Sequence, residues 1–307
     1  MELFFDIYRA HEEFFYSTQL VLAMLGMGAT LSLGQFRAIL RRPTSIALVV
    51  VLQFMLMPFV ALMFAKVTGL PDEIAIGLVV LVALPSGSLS NIITYLGRGN
   101  VPLSITATCA STGLCLLVTP LVLSLFASHQ LPDDFKVPTD KTIWSIATLL
   151  LLPLGIGMAF ASYRPHLKEH LSRWAIGGSL VALGCVVVGA LGGGRLDVWK
   201  YGWHTPAWIV AFVVVTLLVT YWITLLLRYP QEDAFTLAVE VSMRNGNLGV
   251  ALCLPLFGPN SSSNVLHKGA LYVCLFGGGA MMVIGLLAVL RRHLRFARQR
   301  RAGLKEV

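Results

Sequence analysis

Charge is what this sequence has least of. Of its 307 residues only 12% are Asp, Glu, Lys or Arg, where a soluble globular chain carries about 25%. With 56% hydrophobic residues and a mean hydropathy of +0.77, that shortage excludes a cytosolic enzyme, a disordered tail protein and a nucleic-acid binder. Cysteine is scarce too. Cys109, Cys115, Cys185, Cys253 and Cys274 all fall in apolar runs, so they read as small buried hydrophobes and not as a disulfide framework. Histidine and aspartate are absent from the apolar runs: every one of either is expected in a loop or at a segment end. Without two Asp at membrane depth there is no intramembrane aspartyl protease. Without His-Glu-x-x-His there is no zinc protease of that type, and without a membrane His a serine protease lacks its base.

What remains is a polytopic, all-α membrane protein. Apolar runs of about 17–25 residues are long enough to cross a bilayer as helices. Nine are expected, near 16–33, 45–69, 74–97, 102–127, 142–162, 174–194, 206–227, 234–257 and 269–290. Residues 1–15 carry Asp6, Glu12 and Glu13 and lack a basic n-region, so they read as an extracytoplasmic lead-in and not as a signal peptide. Residues 16–127 hold the first four segments, 142–290 the other five, and 291–307 a basic tail. Lys and Arg in the short connections set orientation. Arg37, Arg41, Arg42, Arg98, Arg164, Lys168, Arg173, Arg228 and the tail's Arg291, Arg292, Arg295, Arg298, Arg300, Arg301 and Lys305 lie on one side. Arg9, Lys66, Lys136, Lys141, Arg195, Lys200 and Lys268 lie on the other. The first set is expected to be cytoplasmic, with the N-terminus outside, in a plasma or bacterial inner membrane. The net charge of +8 is then topology and a stop-transfer flank, with lipid and not nucleic acid as its neighbour.

Two ionisable groups break the pattern. Glu240 and Arg244 lie inside the eighth run, where each costs at least ~2.5–3.5 kcal/mol to insert. Their spacing of four permits an ion pair on one helical face. It also permits a site for a charged ligand, and the second reading is favoured because the segment reads as broken. Asn245, Gly246, Asn247 and Gly249 follow directly and are poor interior helix residues. The third run has a matching flaw at Pro85-Ser-Gly-Ser-Leu-Ser-Asn91. Carbonyls freed at membrane depth must line a cavity or hold a ligand. Two such breaks in corresponding places are the mark of an inverted-repeat secondary transporter, with its ion site where the broken helices cross. Ser104 and Thr108 share a helical face, and Gln53 precedes Pro58 by five. With Ser90, Asn91 and Glu240 they form an oxygen-rich set suited to a hard monovalent cation.

At these residues the chain resembles the bile acid/sodium symporter family. The likeness rests on Leu25-Gly-Met-Gly-Ala-Thr-Leu31, Gln53-Phe-x-x-Met-Pro58, Pro85-Ser-Gly-Ser-Leu-Ser-Asn91, Leu103-Ser-Ile-Thr-x-Thr108 and Glu240-Val-x-Met-x-Asn245, in the family's order. The resemblance implies two inverted repeats of five helices, of which this chain is expected to lack the first. It implies a core domain from the second to fourth and seventh to ninth segments, and a panel domain from the first, fifth and sixth. It further implies a sodium site at Ser90, Asn91, Ser104, Thr108 and Glu240. A second would use Gln53, Glu240 and the carbonyls of Val241 and Met243. Where the family's remaining ligand there is a Gln side chain, this chain has Arg244. The expected function is sodium-coupled symport of a small organic anion, bile-acid-like or a carboxylate such as pantoate. The alternative is a singly coupled or sodium-independent carrier in which Arg244, with Asn245 beside it, replaces a sodium or holds the substrate. A metalloid exporter would need a reactive membrane Cys, and Cys109 and Cys115 have no neighbouring base. A membrane-embedded enzyme is the remotest reading.

Overall fold

The computed structural model describes residues 2–31, 34, 43–127, 138–192, 201–257 and 265–301. Among them there is no strand; nearly everything is helix. The basic residues expected in the first connection (Arg37, Arg41, Arg42), together with Lys136, Arg195, Lys200 and Lys305, lie outside the described residues.

Eleven helices of eight or more residues follow one another among the described residues. They are α1 (Glu2–Thr30), α2 (Pro43–Thr68), α3 (Asp72–Ala83), α4 (Ser88–Leu96), α5 (Val101–Val122), α6 (Thr139–Tyr163), α7 (Lys168–Gly192), α8 (His204–Leu226), α9 (Gln231–Ser242), α10 (Gly246–Phe257) and α11 (Val265–Arg301). Six of them (α2, α5, α6, α7, α8 and α11) are long and apolar enough to cross a membrane alone. α1 and the interrupted pairs α3–α4 and α9–α10 occupy the other three expected segments. The described part of the lead-in is itself helical, and His11, at φ −131 and ψ 27, marks a kink between it and the rest of α1.

The interrupted pairs share a plan. Each opens after a proline, Pro71 or Pro230, in the same extended conformation. Each has acidic residues in its first turn, Asp72 and Glu73 or Glu232 and Asp233, which complement the helix dipole. Each first half is 12 residues long, a rise of about 18 Å. That is little more than half of a ~30 Å hydrocarbon layer, so both chains break near mid-depth.

α6 and α7 both pack on α1, and α2–α5 with α8–α11 form a second bundle. Backbones approach closely in the first group. A Cβ on Gly28 would lie 2.2 Å from Leu154 O, and one on Gly157 2.3 Å from Leu25 O. Such small residues let membrane helices pack where no hydrophobic gain drives them together. Tyr8 fills the space over Gly189, and its hydroxyl meets that of Tyr16 at 2.5 Å. The two groups touch through α10 against α1 and α6, and through α5 against α6.

One end of the larger bundle is tied by Arg292. Its guanidinium donates to Gln231 O at 3.2 Å and Arg98 O at 3.3 Å, and it lies over the Phe235 ring. His293 meets Leu96 O at 2.7 Å. Two connections and the tail, all expected on the cytoplasmic side, therefore sit together. Four cysteines are buried as expected; Cys185 is only half-buried.

The packing of α1 makes a direct prediction. Gly28→Val drives side-chain atoms into a main-chain carbonyl that cannot move aside, and should destabilise the protein by about 1–3 kcal/mol. Gly113→Ala, where an added Cβ meets nothing within 4 Å, should cost nothing. Thermal unfolding in detergent separates the two outcomes.

Candidate functional site at the helix crossing

The site begins with two stretches of chain that cannot stay helical. Leu84 is extended before Pro85, because the pyrrolidine ring disfavours helix in the residue ahead of it. α9 ends at Ser242, with Met243 at φ −90 and ψ 89. The two breaks lie antiparallel, Ser86 opposite Arg244. Asn245 N donates to Pro85 O at 2.9 Å, and Gly87 N to Met243 O at 3.4 Å. The Asn245 amide would have closed a helical turn on Val241 O; it turns to the other break instead. A Cβ on Gly87 would lie 3.4 Å from Asn245 Cα, so the two breaks are in van der Waals contact. Asn245 then caps the next half-helix, its Oδ1 accepting from Leu248 N at 3.2 Å.

This crossing aims one carboxylate at one face of α5. Glu240 is fully buried. Ser104 Oγ donates to its Oε1, and Thr108 Oγ1 donates to its Oε2 at 2.9 Å. Asn91 Oδ1, from the start of α4, accepts from Ser104 at 2.9 Å and lies 3.5 Å from Thr108 Oγ1. Ser90 Oγ stands 3.5 Å from Thr108 and donates to Gly87 O at 2.7 Å. The five residues expected for a first cation site are thus brought together. Their protons do not go round. The hydroxyls of Ser104 and Thr108 carry one proton each, and three oxygens (both of the carboxylate and Asn91 Oδ1) converge on them. A set so rich in lone pairs and poor in protons fits a hard monovalent cation. Among the described residues no cluster of three His, Cys, Asp or Glu exists that would hold a transition metal.

The second expected cluster is arranged differently. α2 widens into a π-turn at Leu52–Leu56, with Met57 N bonded to Leu52 O. The next carbonyl in that register, Gln53 O, would need the N–H of Pro58, which proline lacks. Arg244 supplies it: Nη2 donates to Gln53 O at 3.2 Å and Nη1 to Leu84 O at 3.1 Å. Gln53 Nε2 also donates to Leu84 O at 3.1 Å, while Gln53 Oε1 is buried with no hydrogen-bond partner. Of the two readings of Glu240 and Arg244, the disfavoured one, an ion pair, is not formed among the described residues, because the helix ends between them and the four-residue spacing no longer stacks their side chains. The guanidinium takes the carbonyls of Gln53 and Leu84.

Sequence reasoning missed Ser86 and Ser111, whose hydroxyls pair at 3.1 Å beneath the carboxylate. Ser111 continues the Ser104–Thr108 stripe at i+7, a signal that was available. Met281, whose sulfur accepts from Arg244 N at 3.3 Å, gave no such signal.

Fold and site together define a polytopic helical carrier built on crossed, interrupted helices. The chain belongs to the Sodium Bile acid symporter family, whose profile matches residues 18–198. It is 31% identical over 244 residues to the Bacillus subtilis protein named "Uncharacterized sodium-dependent transporter YocS", covering 78% of this chain and 74% of that one. It is 30% identical over 258 residues to "Probable sodium/metabolite cotransporter BASS1, chloroplastic" of Arabidopsis thaliana, 81% of this chain and 63% of the relative. To the human "Hepatic sodium/bile acid cotransporter" it is 27% identical over 277 residues, 87% and 77% of the two chains. The match spans less than two thirds of the plant relative and about three quarters of the other two. The protein is a membrane transporter and not an enzyme.

The cap on α10 is testable alone. Asn245→Ala removes the acceptor for Leu248 N and should lower stability by about 1 kcal/mol, whereas Asn245→Asp keeps it. Unfolding midpoints of the purified variants give the comparison.

Proposed function

We propose that this protein carries a small organic anion across the membrane in symport with sodium, the ion sitting between Glu240, Asn91, Ser90, Ser104 and Thr108. The observation that carries the reading is the proton-poor oxygen cluster around a buried carboxylate. A lone anion at that depth is expensive, and a bound cation both offsets it and uses the surplus lone pairs. The names of the relatives support sodium as that ion. The carried group is an anion because the half-helices α4 and α10 begin at the crossing and turn the partial positive charge of their N-termini towards it. Its class is a bile-acid-like steroid conjugate or a smaller carboxylate such as pantoate. The C-terminus lies in the cytoplasm, with the connections that Arg292 ties together.

Uptake of a labelled bile acid and of labelled pantoate into proteoliposomes tests this. An inward sodium gradient should drive accumulation of one of them, and potassium in its place should not. Accumulation that ignores the gradient overturns the reading. Glu240→Gln should abolish sodium dependence. Thr108→Val keeps shape and removes one oxygen ligand. At roughly 1.5 kcal/mol for a charge-assisted contact, the sodium concentration for half-maximal uptake should rise about tenfold. An unchanged value with normal expression would leave Thr108 outside the site.

A further inference from the structure

Arg244 poses a question that the Glu240 cluster does not answer. Its guanidinium is buried at mid-depth, away from any acidic partner among the described residues, and its side chain donates only to two main-chain carbonyls. Both carbonyls are free for a reason written in the chain. Leu84 O ends a helix stopped by Pro85. Gln53 O lies within a π-turn and faces the missing N–H of Pro58. A third oxygen, Gln53 Oε1, is buried there with no hydrogen-bond partner. Carbonyl ends of half-helices carry partial negative charge, and two main-chain oxygens with an amide oxygen beside them are the ligand chemistry of a monovalent cation.

We propose that the Arg244 guanidinium is a resident cation, which fills a second monovalent-cation position between α2, the α3–α4 break and the α9–α10 break. Covalently attached and held at both carbonyls, it keeps that position closed to a free ion, so the protein binds a single sodium. An amide in its place removes the fixed charge, returns Gln53 O and one lone pair of Leu84 O, and adds an oxygen of its own. Together with Gln53 Oε1 this completes a ligand set. Arginine is suited to the first role because it donates in a planar fork and has no lone pair to offer an ion.

The inference rests on the Glu240 cluster being a cation site, and a binding count separates the two. Radioactive sodium is titrated onto the purified full-length protein in detergent, without any anion. The wild type should bind one ion per chain, Arg244→Gln two, and Arg244→Lys, which keeps the charge, one. Two ions on the wild type overturn the inference with no mutant needed. So does a single ion on an Arg244→Gln protein that elutes as a monodisperse peak. Glu240→Gln should bind none. No binding to the wild type at any concentration overturns the Glu240 site first, and this inference with it.

Discussion

Everything at the centre of this molecule follows from one requirement: main-chain groups at mid-membrane cannot be left to lipid. The two interrupted helices meet it by pairing with each other. Asn245 N reaches Pro85 O and Gly87 N reaches Met243 O, a fragment of antiparallel ladder inside a helical protein. Because the ladder fixes Ser86 opposite Arg244, it also fixes what stands on either side. Glu240, at the end of α9, is held over Ser104 and Thr108 of α5, and Asn91 at the start of α4 closes the ring. The carboxylate is positioned by backbone pairing, not by a salt bridge.

Two prolines do the complementary work. Pro58 lacks the N–H that Gln53 O would need, Pro85 turns the chain out of the helix at Leu84, and one arginine answers both freed carbonyls. Burying a guanidinium is costly unless its donors find acceptors. Here two carbonyls offer themselves because no main-chain amide can take them. A neutral amide donor, Gln53 Nε2, already shares Leu84 O. The difference Arg244 makes is therefore mainly charge, placed where two main-chain oxygens, those of Gln53 and Leu84, converge.

The breaks were legible in the sequence because glycine, proline, serine and asparagine stand out in apolar runs. The hydroxyl stripe on α5 was legible because helical spacing survives intact there. Arg244 was not, since the four-residue rule that joins it to Glu240 presumes a helix that stops at Ser242. Nor could hydropathy show the π-turn that turns Gln53 from a neighbour of Glu240 into a partner of Leu84 O. The first 15 residues read as a polar lead-in because hydropathy averages over faces. Tyr8 is fully buried and Phe5 lies over Gly192, an aromatic face that alternates with acidic residues turned outward. Local pattern reports where a helix fails; it does not report which distant chain repairs the failure.

The division of labour between the bundles then has a mechanical meaning. Gln53, Leu84, Ser90, Asn91, Ser104, Thr108, Glu240 and Arg244 all come from α2–α5, α9 and the two breaks. α1, α6 and α7 contribute none of them. Within that smaller group the helices meet backbone on backbone at Gly28 and Gly157, a packing that tolerates little internal change. Within the larger group the ladder, the arginine and, at one end, Arg292 tie successive segments together. Motion is then easiest between the groups, along the face where α10 and α5 meet α1 and α6. Such motion would carry the carboxylate cluster whole. On the proposed reading, the affinity for a cation would then change only through what covers the crossing, which is the condition under which occupancy of one site can bias access from either side.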